Sequence, residues 1–180
     1  MKMNAFKNRK GFSLLELLLV MGIIAALIVG AFVVYPKVRA SNNAAIEAKN
    51  IAMIQSSARS LYAAKGNYNG LYTTVLTNAD LLPKSMINSK NGFPVNSFGG
   101  YITVMAEAIN GRVDTGFMIS SSGFPPAECI KIISSVASNF YMVRVNSSNY
   151  VKQAGKKLDM EEAVKQCSAK ESNSIELDSE

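Results

Sequence analysis

The chain contains no histidine, only two cysteines, and charged residues at just 18% of its 180 positions. Without imidazole, the commonest metal ligand and the commonest general base at neutral pH are both missing. Two thiols alone do not complete a metal site. There is also no Ser-x-x-Lys, no nucleophile elbow and no pair of carboxylates in an apolar setting, so no reaction chemistry has its parts. No enzyme, cofactor or metal is expected. The stretch Asn96 to Gly100 is rich in glycine but lacks the Lys and Ser or Thr of a phosphate-binding loop, and reads as a turn leading into a strand. The methionines and aromatics read as core filler. The excess of positive charge has little reach either. Of 19 basic residues, four (Lys2, Lys7, Arg9 and Lys10) lie within the first ten, and the remaining 15 face 13 acidic ones. No nucleic-acid partner is expected, because the later Lys and Arg are scattered rather than striped.

What the chain does have is a run of 24 residues, Phe12 to Tyr35, that is apolar apart from one charged residue, Glu16. At 1.5 Å per helical residue it spans roughly 36 Å, enough to cross a hydrocarbon core. The basic flank upstream fixes the N-terminus on the cytoplasmic side and predicts export of everything after about Pro36. A secretory signal would carry a shorter apolar stretch and a small-residue cleavage site beyond it, whereas this run passes straight into an amphipathic pattern. Ala44, Ala45, Ala48, Ile51, Ala52, Gln55, Ala58, Leu61 and Tyr62 recur at helical steps. One helix from Phe12 to about Ala64, on the order of 80 Å long, is the expectation. Pro36 should kink it. It stops at Lys65 to Gly70, where glycine and asparagine cluster.

Export changes how the cysteines read. In an oxidising compartment Cys129 and Cys167 form one disulfide across 38 residues, stabilising by about 4 kcal/mol on loop-entropy grounds. The other reading is two buried free thiols. Beyond the long helix, a short helix near Thr74 to Leu81 is stopped by Pro83, and strands are expected at Tyr101 to Met105, Gly116 to Ile119 and Phe140 to Val145. Pro125-Pro126 opens a further helix, and Asp159 caps a last one from Met160 to about Gln166. Residues 171–180 carry four acids and little apolar content, and read as a solvated, mobile tail. The fold class is therefore α+β: a long N-terminal helix packed on a small antiparallel sheet, with a disulfide-closed C-terminal region. The segments are a leader at 1–11, a membrane-spanning half-helix at 12–35, an amphipathic half at 36–64, a head domain at 65–170 and the tail at 171–180.

Lys10-Gly11-Phe12-Ser13-Leu14-Leu15-Glu16 resembles the processing motif of type IV pilins and secretion pseudopilins. The resemblance implies cleavage between Gly11 and Phe12 by a prepilin peptidase, N-methylation of Phe12, and membrane residence followed by assembly into an extracellular filament. It also implies that Glu16 pairs with the free amine of Phe12 on a neighbouring subunit. That pairing offsets an ionised carboxylate that is otherwise costly in an apolar medium. A local alternative is that Glu16 only stabilises the first turn through the helix dipole. Tyr68, Gly70, Leu71 and Leu76, the stretch Asn96 to Gly100 and the helix beginning Ala127-Glu128-Cys129 are similar to the type IVb branch, while an eleven-residue leader followed by Phe is the habit of type IVa. The expected function is a structural pilus subunit serving adhesion, aggregation or conjugative contact. Its partners would be other copies of itself, the pilus assembly machinery, and a host or recipient cell. The alternative is a minor pilin or type II secretion pseudopilin.

Overall fold

The computed structural model describes residues 13–180. Gly11, Phe12 and the basic flank lie outside that range. A single helix, α1, runs from Leu14 to Tyr62 with Glu16 in its first turn. It continues through Pro36, whose missing N–H leaves the Phe32 carbonyl without its usual donor four residues on. The chain divides into two compact units, residues 1–39 and 40–180.

In the first unit α1 has no buried face. Its apolar window is long enough to cross a membrane, and none of it is buried. Leu14, Leu15, Leu27 and Phe32 are 69–76% exposed. A helix apolar on every side has no inward stripe to offer a protein core, so its burial must come from outside the chain.

In the second unit the same helix becomes amphipathic. Ala44, Glu47, Ile51, Ile54 and Ala58 are fully or nearly buried, a three-four repeat that keeps one face turned inward. Two expected members of that face, Ala45 and Leu61, are instead exposed. Ile54 and the acid Glu47 take the inward positions, because the stripe follows the spacing rather than the alanine content.

That face joins the core formed by a five-stranded antiparallel sheet: β1 (Ile102–Ile109), β2 (Arg112–Phe124), β3 (Met142–Val145), β4 (Tyr150–Lys152) and β5 (Asn173–Ser179), in the order β1-β2-β5-β3-β4. Asn110 and Gly111 close the β1–β2 hairpin with φ of 53° and 74°, the left-handed pair that a two-residue hairpin turn requires. Three helices complete the head: α2 (Thr73–Asn78), α3 (Pro126–Val136) and α4 (Met160–Ser168). The Asp159 side chain accepts the Glu162 N–H at 3.0 Å, so α4 starts on a carboxylate cap as expected. Cys129 on α3 is bonded to Cys167 on α4, with Cα atoms 5.9 Å apart.

The tail requires a correction. Residues 173–179 are not a solvated end: they form β5, between β2 and β3 at the centre of the sheet. Ile175 and Leu177 are fully buried in the core, while Ser174 and Glu176 point to the other face. The head therefore reaches to the last residues rather than ending at 170. The strands are also longer than expected at the hairpin, with β2 running for 13 residues where four were anticipated.

Candidate functional site

Each unit carries polar groups placed against an apolar surface. In the first, Glu16 sits in the opening turn of α1, where the Leu17 N–H donates to the Ser13 carbonyl at 3.1 Å. At helical spacing its neighbours are Ser13, Leu19 and Val20. No cation lies within ion-pair distance of it among the described residues. The structure thus presents a carboxylate on an all-apolar, all-exposed helix, and an exposed apolar surface of this extent marks an interaction site.

In the second unit, polar groups tie α1 to the head. Gln55 Nε2 donates to the Asn139 carbonyl at 2.8 Å and to Ser179 Oγ at 3.0 Å. Arg59 donates to Ser179 Oγ at 3.1 Å and to the Glu180 backbone oxygen at 2.8 Å. The chain end is therefore clamped onto the helix. Glu47, with none of its surface exposed, accepts the Ser97 N–H at 3.3 Å and the Asn50 amide at 3.4 Å, and its second oxygen has no partner. Burial pushes its carboxyl above the ordinary range, and the Ser97 and Asn50 hydrogen bonds pull the other way.

The Asn96 to Gly100 turn is held from within. Asn96 Oδ1 accepts from the N–H groups of Phe98 and Gly100, both at 2.9 Å, while its amide donates to Ser121 Oγ and the Ser122 carbonyl. A Cβ on Gly100 would lie 1.7 Å from the Ser122 carbonyl oxygen, so only glycine fits. This stretch is a structural turn, as its sequence suggests.

On the sheet face away from Ile175 and Leu177, Asp178 is 2% exposed, with one oxygen unpartnered. Its carboxyl is pushed up to about 6, mainly by desolvation; Arg144 opposes the shift, and Glu107 and Glu176 add to it. Arg144 Nε lies 3.2 Å from Glu176 Oε2, close in distance but not aligned as a hydrogen bond, so it compensates Asp178 only in part.

Sequence reasoning missed Glu47, the Gln55–Arg59 clamp and Asp178. For Glu47 a signal existed: it stands three residues after Ala44 and four before Ile51, on the inward stripe.

A long N-terminal helix whose second half lies on a disulfide-closed antiparallel sheet is the fold of type IV pilins. The structure superposes on TcpA, a type IV pilin from Vibrio cholerae El Tor biotype, with a TM-score of 0.57 at 15% identity, covering 77% of this chain and 99% of that one. It also superposes on a type IVb pilin from Salmonella typhi, with a TM-score of 0.56 at 20% identity, covering 74% and 97%. The family described as PilS N terminal matches residues 41–180, and the chain belongs to that family. The prokaryotic N-terminal methylation motif matches residues 6–32, a range that contains Gly11, Phe12 and Glu16. Over 156 residues the chain is 24% identical to the major structural subunit of bundle-forming pilus from Escherichia coli O111:H-, covering 85% of this chain and 80% of that protein.

Proposed function

We propose that this chain is the repeating structural subunit of a type IV pilus. It is cut between Gly11 and Phe12, methylated on Phe12, held in the inner membrane by residues 12–35, and then polymerised through that same helix. The observation that carries the reading is the carboxylate of Glu16 on a helix that is apolar and exposed on every side. Charge burial in an apolar medium costs several kcal/mol, and the freed, positively charged amine of Phe12 on a neighbouring copy offsets it. Subunits that slip out of register lose that pairing, so one contact sets both assembly and alignment. The methylation motif at residues 6–32 supports the processing step, and the bundle-forming relative, itself a major subunit, supports a major rather than a minor role. Adhesion to a host or recipient cell, aggregation or conjugative contact would then be the work of the head surface.

Glu16→Ala should leave processed protein in the membrane and abolish or disorder surface filaments. Electron microscopy of sheared material, with mass spectrometry of its N-terminus, reads both. Abundant ordered filaments built from Glu16→Ala subunits would refute the pairing, and cellular protein still beginning at Met1 would refute the processing.

A further inference from the structure

The segment between β4 and α4 gathers positive charge around a cleft. Lys152 ends β4, and the turn that follows places Gly155 at φ 68°, with the Lys156 N–H donating to the Gln153 carbonyl at 3.0 Å. Lys156 and Lys157 then stand exposed side by side. A cavity of about 390 Å³ opens beside them, with Ala137, Ser138 and Leu158 in its walls along with Lys152, a size within the roughly 300–1,000 Å³ range of small-ligand clefts. A second depression, carrying Tyr150, Gln153 and Asp159, shares Lys156 and Lys157 with the first, so the two form one trough.

The charges in the trough are not spoken for. Lys152 Nζ donates to the Phe140 carbonyl, but neither Lys156 nor Lys157 lies in an ion pair among the described residues. The nearby acids are occupied: Asp159 caps α4, and Glu162 is 3.5 Å from Lys165. The rest of the lining can serve a sugar. Tyr150 offers a partly exposed ring whose partner is the Arg144 guanidinium, 5.1 Å from its centroid. Gln153 and Ser138 supply amide and hydroxyl groups suited to hydroxyls.

We propose that this trough binds acidic polysaccharide, with Lys156 and Lys157 on the carboxylates of uronate-type sugars and Gln153 and Ser138 on their hydroxyls. The three lysines are confined to a short trough with one aromatic ring, that of Tyr150, and do not form the long aromatic-interleaved stripe that nucleic acid requires. The site stands on the head alone. Only its gain from repetition along a fibre, through multivalency, rests on the filament reading.

The test uses the full-length chain in detergent micelles and, separately, native filaments, with immobilised alginate as the probe, dextran as the neutral control and a dT oligonucleotide as competitor. Wild-type monomer should bind alginate and not dextran, with affinity falling as salt rises. Lys156→Ala/Lys157→Ala should lose about ten- to a hundredfold in affinity, the arginine pair should retain it, and the Lys90→Ala control should bind as wild type. Filaments should bind more tightly than monomers. Equal binding to dextran, an unchanged alanine pair, or displacement by dT at lower concentration than by free alginate would each overturn the proposal. Monomer that binds from cells lacking filaments would uphold the trough while sinking the polymer reading, so the two failures are distinguishable.

Discussion

The two stretches of α1 share a secondary structure and differ in everything that decides where a helix lives. From Leu14 to Arg39 the apolar residues go all the way round and stay exposed, whereas from Ala40 to Tyr62 one stripe that includes Ala44, Ile51, Ile54 and Ala58 is buried and the rest of the helix faces outward. Total hydrophobicity therefore does not send a helix into a protein core. The angular distribution of the apolar residues does, because a sheet covers one face and leaves the other to water. A helix apolar on all faces needs a surrounding that is apolar on all faces, whether lipid or other copies of itself.

The sharpest way to break this comparison is to remove one piece from each side. Ending the chain after Ser172 deletes the central strand β5 and should leave a head with no cooperative thermal transition and rapid proteolysis, whereas deleting residues 1–39 should leave the head's melting temperature within a few degrees of its original value. Circular dichroism melts of both check this, and a cooperative melt after the C-terminal cut would show that β5 is dispensable. Next in size, Cys129→Ser should destabilise the head by about 2–4 kcal/mol, a drop on the order of 10 °C, because the bond joining α3 to α4 closes a loop across 38 residues. An unchanged melt would mean that the packing of α3 on α4 suffices alone.

Asn96→Ala follows, at about 2–3 kcal/mol, since it strands the half-buried N–H groups of Phe98 and Gly100 and loses the bonds to Ser121 and Ser122; urea titration reads it. Asp178→Asn should act in the opposite direction and least. Its carboxyl, at 3.8 when free and about 6 in the fold, makes the charged form a burden. The head should be less stable above pH 6 and gain stability as pH falls from about 6 towards 4. Glu47, whose carboxyl is also raised, contributes with the same sign. The amide should raise stability at pH 7.5 by about 1–2 kcal/mol, less than the ~3 kcal/mol implied by the shift because asparagine also needs hydrogen-bond partners, and should flatten the dependence between pH 4 and 6.5. A steeper pH dependence in the amide variant would contradict the assignment.

The legible parts of this molecule were those in which one physical demand dominates a stretch of sequence. A bilayer asks for a long apolar run, and Phe12 to Tyr35 shows one with Glu16 as its single charge; a helix start asks for a cap, and Asp159 shows that. The tail was misread because four acids in ten residues were weighed by count. Its alternation of Ser174, Glu176 and Asp178 with Ile175 and Leu177 is a period-two pattern that marks a half-buried strand. The β1–β2 hairpin likewise carried its Asn110-Gly111 dipeptide between two apolar runs. Asp178 was out of reach: nothing in its neighbours along the chain says that Met118 and Met142 flank it from adjacent strands.

The place of β5 makes one short strand the keystone of the head. It joins the two halves of the sheet, β1-β2 on one side and β3-β4 on the other. Without it, β2 and β3 have no common neighbour, and the Gln55 and Arg59 side chains lose the Ser179 and Glu180 groups that they grip. Seven residues thus close both the sheet and its seam with the helix, so their loss opens the two together.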